Sequence, residues 1–418
     1  MGLLKRETVS RPIALIAGDL HMMHHAWVDR KTLFGDAEYG LWQIAYLSGK
    51  FGLPILLAGD QFNSTSPDLS TLGTMIRMQG FLAETNGCYI QGNHDKTSPP
   101  WMKLVVRHWT HLEEGPADLG TGEKPPDGLW DIFRTSGEGP LFDRDKRWHV
   151  YGLDYLLSQE LLADRLSALG KTIRTDPKVA NLLVLHQEVP PWTPAFTCQL
   201  LDGMVPDCFD MLVVGHVHDA QVATIRSRRG RPIRMVSPGG VHLLDVTENP
   251  RKKIWLLQAN GSLLSVPLQS RNRRTINLCG LTESERKKKI KELCTTLSKT
   301  VSRSKAIDTP IVYAVCDNAS AVETRKMLLA ELGDTAHLFV SRKAEHEKAV
   351  QGIDAARLED IDVRRYLEDG FVYAQKVIQE HEPDKAVQRI IGSLLASEIN
   401  PALYHSLKTE FQEKQPHV

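Results

Sequence analysis

The stretch Gln91-Gly92-Asn93-His94-Asp95 sets an amide oxygen, an imidazole and a carboxylate side by side, directly after the apolar run Cys88-Tyr89-Ile90. A strand that ends this way delivers all three groups to the carboxyl edge of a sheet, where open α/β folds keep their ligands. Four further stretches share the form. Ile13 to Ala17 leads into Gly18-Asp19-Leu20-His21, and Pro54 to Ala58 leads into Gly59-Asp60. Leu182 to Leu185 leads into His186, and Met211 to Val214 into Gly215-His216-Val217-His218. Each piece alone is weak, because Gly-Asp is a common turn and a lone histidine is more often an ordinary surface or core residue. The five together supply complementary donor types in one strand context, and that combination points to chemistry.

The chemistry is that of a metal pair. Asp19, His21, Asp60, Asn93, His186, His216 and His218 offer oxygen and imidazole donors without a thiolate, a set that suits Mn2+ first, with Mg2+ or Fe2+ next. Two divalent cations ~3.5 to 4 Å apart activate a water between them and stabilise both the attacking and the leaving oxygen of a phosphoryl displacement. Such a pair needs one bridging carboxylate. His94 is left over, and an imidazole beside two metals is a natural general acid for the leaving alkoxide, with Asp95 expected to orient it.

The elements that must position these groups alternate strand, loop and helix. Tyr39, Trp42, Ile44, Ala45 and Leu47 fall at helical spacing before the Pro54 strand, and Asp68 or Ser70 is placed to cap a helix running through Leu82. This is βαβ logic, which buries strands on both faces. Between Glu114 and Arg147 glycine and proline thicken around short strands such as Trp130 to Arg134, where a second sheet is expected to begin. Strands are expected at Trp148 to Tyr155, Leu182 to Leu185, Met211 to Val214, Gln221 to Ile225, Ile233 to Ser237 and Ile254 to Leu257, with a helix at Gln159 to Leu169. Two stacked sheets are the economical arrangement. After Pro267 the composition shifts. A charged helix from about Thr282 to Ser302, a strand Ile311 to Cys316, a helix Ala321 to Leu332 and a strand Ala336 to Val340 form a small α/β unit, and from Gln351 the pattern is helical.

At 418 residues, with 51 Lys+Arg against 51 Asp+Glu, the chain has material for two or three domains and is not a basic nucleic-acid coat. Arg226, Arg228, Arg229, Arg231 and Arg234 form one local basic stretch, which an exposed hairpin explains as well as a binding patch does. Six scattered cysteines without a Cys-x-x-Cys pair fit a reducing compartment. No apolar run approaches the ~20 residues of a membrane span, and the N-terminus lacks a secretory core, so a cytoplasmic protein with no membrane association is expected.

These motifs resemble those of the calcineurin-like metallophosphoesterases: Asp-x-His, Gly-Asp, Gly-Asn-His-Asp, His and Gly-His-x-His, over residues 13 to about 267. The resemblance implies a four-layer α/β/β/α sandwich. It implies that Asp19, His21, Asp60 and His218 hold one metal, that Asp60, Asn93, His186 and His216 hold the other, and that His94 is the catalytic imidazole. Within that family the chain looks most like the SbcD-type DNA repair nuclease subunit. Gly59-Asp60-Gln61-Phe62, with the Ser and Pro residues that follow, is similar to that subgroup's segment, as are Ser237-Pro238-Gly239-Gly240 and the exit Val266-Pro267-Leu268 to Arg271. The implied organisation is a catalytic domain at 1–267, an α/β DNA-capping domain at 268–350 and a C-terminal docking region at 351–418.

The implied activity is a 3′ to 5′ exonuclease and single-strand endonuclease in DNA repair and recombination, regulated by an SbcC-type ATPase partner, with a homodimer also allowed. Position 63 is Asn, where relatives often carry His, so the balance of the two activities is open; His24 and His25 are the nearest substitutes in sequence. The rival enzyme is a phosphoesterase on a small or protein substrate, such as a cyclic nucleotide phosphodiesterase or a phosphatase. The rival from another class is a metal-stabilised scaffold, against which the retained His94 argues. For docking, Val387, Ile390, Ile391, Leu394 and Leu395 make one helical stripe and Leu403, Leu407 and Phe411 another.

Overall fold

The computed structural model describes residues 10–343 apart from 24, 28–29, 97–100, 120–134, 196 and 301–308. All of them belong to one compact unit, Met1–Ala355; a second unit, Ala356–Val418, contains none. The expected C-terminal helices with their apolar stripes, the strand Trp130 to Arg134 and His24 therefore lie outside the described residues.

The chain is a mixed α/β protein with two large mixed sheets. The first has the strand order Thr110–His111, Gly87–Ile90, Ile55–Ala58, Pro12–Ala17, Lys253–Gln258, Leu263–Pro267, Thr135–Glu138. Its first four strands run parallel, as βαβ connections require, and the last three add antiparallel. The second has the order Gln221–Arg226, Pro232–Ser237, Met211–Gly215, Val179–His186, Arg147–Gly152, Ala117–Leu119, parallel through its middle four strands and antiparallel at both edges. The second sheet thus begins at Ala117–Leu119, inside the expected window. Thr135–Glu138, from the same window, joins the far edge of the first sheet instead.

Why the central strands read as unbroken apolar runs is visible in the packing. Ile13, Ile16, Leu56, Ile90 and Leu257 of the first sheet share one buried cluster with Trp148, Val150, Leu182, Val184 and Val213 of the second. Side chains alternate between faces along a strand, so Leu15, Ile55, Leu57 and Leu256 point the other way and pack on Leu41, Ile44 and Phe51 of the helix Asp36–Phe51. On the second sheet Leu183, Leu185, Leu212 and Val214 pack on Leu162 and Leu166 of the helix Gln159–Thr172. The central strands of both sheets are buried on both faces, and each such apolar side chain contributes ~1.5 to 3 kcal/mol by burial.

Capping follows the sequence. Asp68 accepts from the Thr71 amide at 2.6 Å and opens the helix Leu69–Leu82. Thr282 and Glu285 bond reciprocally, a capping box that starts the helix Glu283–Thr300. The hairpin His25–Trp27 with Arg30–Phe34 was not anticipated, because the His/Met-rich stretch around it lacks an apolar/polar alternation.

A three-stranded parallel sheet, Arg273–Asn277, Ile311–Cys316 and His337–Arg342, follows with its own core of Ile276, Ile290, Val312, Ala314 and Leu328. It is tied to the preceding part by Arg271, whose Nε and Nη2 donate to the two carboxylate oxygens of Asp36 at 2.8 and 2.7 Å. Both side chains are almost fully buried, and Arg271 Nη1 also donates to Thr309 O at 2.8 Å. Removing one partner of a buried pair strands the other charge, so Asp36→Ala is expected to lower the unfolding free energy by about 3 to 5 kcal/mol in urea titration. Loss below about 1 kcal/mol would mean that water reaches Arg271. No helix of the described residues is long and apolar enough to cross a membrane. None of the six cysteines forms a disulfide among the described residues.

Candidate metal centre

Five parallel strands, three from the first sheet and two from the second, end at one place and bring all seven expected donors together. Six of them, together with His94, form three groups whose ligand atoms lie within 4.8 Å of one another: Asp19, His21 and His218; His21, Asp60 and His94; Asp60, His186 and His216. Asn93 joins the last through its Oδ1, 3.1 Å from His186 Nε2. Asp60 is shared. Its Oδ2 lies 3.2 Å from His186 Nε2, 3.6 Å from His21 Nε2 and 4.0 Å from His94 Nε2, and its Oδ1 accepts from the His94 amide at 2.9 Å.

The backbone is strained to achieve this. Asp19, His21, Asp60 and His216 all have left-handed φ, at 48, 41, 50 and 86°. Non-glycine residues seldom adopt that region, and clusters of such residues mark functional sites. The turns are held by cross-links between strand ends: Asp19 N to Gly59 O at 3.0 Å, His21 N to Asp60 O at 2.9 Å and Met22 N to Gln61 O at 2.8 Å. The glycines of the motifs permit close approach. A Cβ on Gly92 would sit 2.1 Å from Asp60 Oδ1, and one on Gly215 would sit 2.0 Å from Ala58 O.

Burial pushes the Asp19 carboxyl up to about 6 despite His186 and His218 nearby. Its Oδ1 accepts from the His216 amide at 2.9 Å, while its buried Oδ2 has no hydrogen-bond partner among the described residues. Burial disfavours charge on both Asp60 and His186, yet their mutual contact outweighs it, holding Asp60 below the usual carboxylate range and lifting His186 to about 9. Burial also drives His21 well below the ordinary imidazole value, against the pull of Asp60. Its Nε2 faces His218 Nε2 at 3.2 Å. An orphaned buried carboxylate oxygen, facing imidazole nitrogens and a carboxylate common to two donor groups are features that a cation satisfies and a neutral core does not. The His/Asp groupings can hold a metal ion.

His94 stands at the open side, with its side chain 39% exposed and its ring edge-on to His21 at 5.3 Å. Asp95 does not orient it. The Asp95 oxygens accept from the amides of Phe62 at 2.9 Å and Gly92 at 2.8 Å, so the carboxylate is fully buried and braces the loop, with burial lifting it to about 7. Adjacency in sequence suggested the pairing, but successive residues in this tight turn point apart.

Other residues at the site are not among the donors expected from the sequence. Glu248 accepts from His218 Nδ1 at 2.8 Å and from Lys252 Nζ at 2.7 Å; burial opposes its charge, but His218 and Lys252 outweigh that and hold it at about 2. Glu188 lies 3.4 Å from His216 Nε2, and the Tyr155 ring stacks on His216. Only Glu188, two residues beyond His186 on the same strand end, was findable from spacing.

Behind the loop, Asp154 Oδ1 accepts from the Gln91 amide at 2.7 Å, and His111 Nε2 lies 2.9 and 3.0 Å from the Asp154 oxygens. Burial disfavours the imidazolium, but Asp154 and Glu114 outweigh it and raise His111 above its ordinary 6.5. A raised histidine stabilises the fold fully below the unfolded value of 6.5, and that stability is lost as pH rises through the folded pKa. The wild type is therefore expected to lose more of its urea midpoint between pH 6 and pH 8 than His111→Gln does. Equal losses in the two proteins would show that this pair does not titrate with folding.

No family model matches the chain, and no curated protein matches it.

Proposed function

We propose that the chain is a metal-dependent DNA nuclease, a two-metal phosphodiesterase most like the SbcD-type subunit of the calcineurin-like metallophosphoesterases. In this reading residues 1–267 are a four-layer α/β/β/α catalytic domain, 268–350 cap it on DNA, and 351–418 dock an SbcC-type ATPase. The observation that supports the reading is that Asp60 falls both in the group with His21 and His94 and in the group with His186 and His216, while His21 also belongs to the group with Asp19 and His218, all at the ends of five strands. Asp19, His21, Asp60 and His218 would hold one divalent cation and Asp60, Asn93, His186 and His216 the other, with Mn2+ favoured by the mixed oxygen and imidazole donors.

When bound, such a pair supplies an activated water and Lewis-acid stabilisation of the phosphate oxygens. The rest falls to the chain. Asp60, buried and held ionised by His186, keeps a negative charge at the shared position. The left-handed turns hold the donors in place before substrate arrives, so little reorganisation is needed during reaction. His94, on the exposed side with Nε2 turned toward Asp60, donates a proton to the departing sugar oxygen. Tyr155, stacked on His216 with Lys96 Nζ 5.7 Å from its ring, walls the approach from the second sheet.

The deciding experiment is hydrolysis of end-labelled duplex and hairpin DNA with Mn2+, Mg2+ or chelator, beside a cyclic nucleotide. Release of nucleotides with Mn2+ and none with chelator is expected. Turnover of the cyclic nucleotide with intact DNA would assign a small-substrate phosphoesterase. Metal uptake with no hydrolysis of either would leave a metal-stabilised scaffold.

A further inference from the structure

We infer that the small α/β unit is a positioning element of the metal centre, with Arg273 acting through Glu248 on His218. This rests on the reading of the donor groups as metal sites. Glu248 lies in the loop 241–252, between the strands Pro232–Ser237 and Lys253–Gln258. It accepts from His218 Nδ1, which fixes the hydrogen on that nitrogen and leaves Nε2 to face His21. Its other oxygen accepts from Lys252 Nζ at 2.7 Å and from the Leu244 amide at 3.2 Å.

The far side of the same loop is held by the small unit. Arg273 Nη1 donates to the carbonyl oxygens of Val246 and of Glu248 itself, the latter at 2.7 Å. Leu243 and Ile311 are buried together, with Val246 and Phe339 against them. Arg273 and Ile311 are register partners at the start of adjacent parallel strands, so one edge of the three-stranded sheet forms the seat of the loop. A shift of this edge moves the carboxylate that orients a metal ligand. By linkage, metal at His218 must in turn favour the seated position of that edge.

The test is Mn2+ titration calorimetry on the full chain, freed of metal, for the wild type, Glu248→Ala, Arg273→Gln, Arg273→Lys and Arg274→Gln. Loss of an orienting partner costs ~10 to 100-fold in metal affinity, and that weakening is expected in one of two binding steps for Glu248→Ala. Arg273→Gln is expected to weaken the same step by about 3 to 10-fold, a fraction of that range because it acts at one remove. Arg273→Lys should recover most of the loss, since one cationic nitrogen makes both bonds, and Arg274→Gln should change nothing. Equal weakening of both steps by Arg273→Gln, or no weakening while Glu248→Ala weakens one, overturns the coupling. A wild type that binds no Mn2+ instead overturns the metal reading beneath it. The unmodified chain gives a second check by amide exchange. Mn2+ should slow exchange in the loop 241–252 and at the start of Arg273–Asn277 together, and protection that stops at the loop also overturns the coupling.

Discussion

Asp60→Asn is expected to reduce hydrolysis to background and to strip metal from both donor groups. Asp60 Oδ2 lies 3.2, 3.6 and 4.0 Å from Nε2 of His186, His21 and His94, and among the described residues Asp60 is the carboxylate common to two of the donor groups. An amide carries no charge to offset two cations, and it would turn either an oxygen or an NH2 toward imidazole nitrogens that need an acceptor or a cation between them. Loss of a mere orienting partner costs ~10 to 100-fold in metal affinity, so loss of the shared ligand should exceed ~100-fold. Metal analysis of the purified variant beside its turnover decides the matter. Two full equivalents retained with normal rate would remove Asp60 from the bridging position. Its Oδ1 also accepts from the His94 amide, a bond that the Asn oxygen can still make, so the loop should keep its shape and the loss should be chemical rather than structural.

His94→Gln is expected to separate rate from metal. The imidazole lies outside the two proposed ligand sets, its Nε2 is 4.0 Å from Asp60 Oδ2, and its side chain stands on the exposed side of the cluster. A leaving-group acid contributes ~10² to 10⁴-fold in rate, or about 3 to 5 kcal/mol in the barrier, so turnover should fall by that much with metal content near wild type. The loss should shrink on an activated ester whose leaving group needs no proton. Metal loss in this variant would make His94 a ligand, consistent with its place in the group with His21 and Asp60, and unchanged turnover would end the acid assignment.

What the sequence determined by itself is local. An apolar run with two buried faces is visible as composition, and a Gly-Asp or Gly-His step after it is visible as a turn, so Asp19, Asp60, Asn93, His186, His216 and His218 could be read as strand-end donors before any coordinates. The same holds for the Asp68 cap and for the strand Ile311–Cys316 and helix Ala321–Leu332, whose observed bounds coincide with the apolar pattern. Tertiary structure alone decided which groups meet. Two sheets converge on one site, and convergence depends on register and twist summed over many strands, which no single stretch records. It turned Asp95 away from His94, because a turn residue points where backbone dihedrals send it and not toward its sequence neighbour. It also brought Glu248 from an irregular loop to His218, 30 positions away, and set Arg273 of the following unit beneath that loop. Such contacts leave no trace in sequence because a carboxylate or guanidinium on a loop looks the same whether it meets water or a partner.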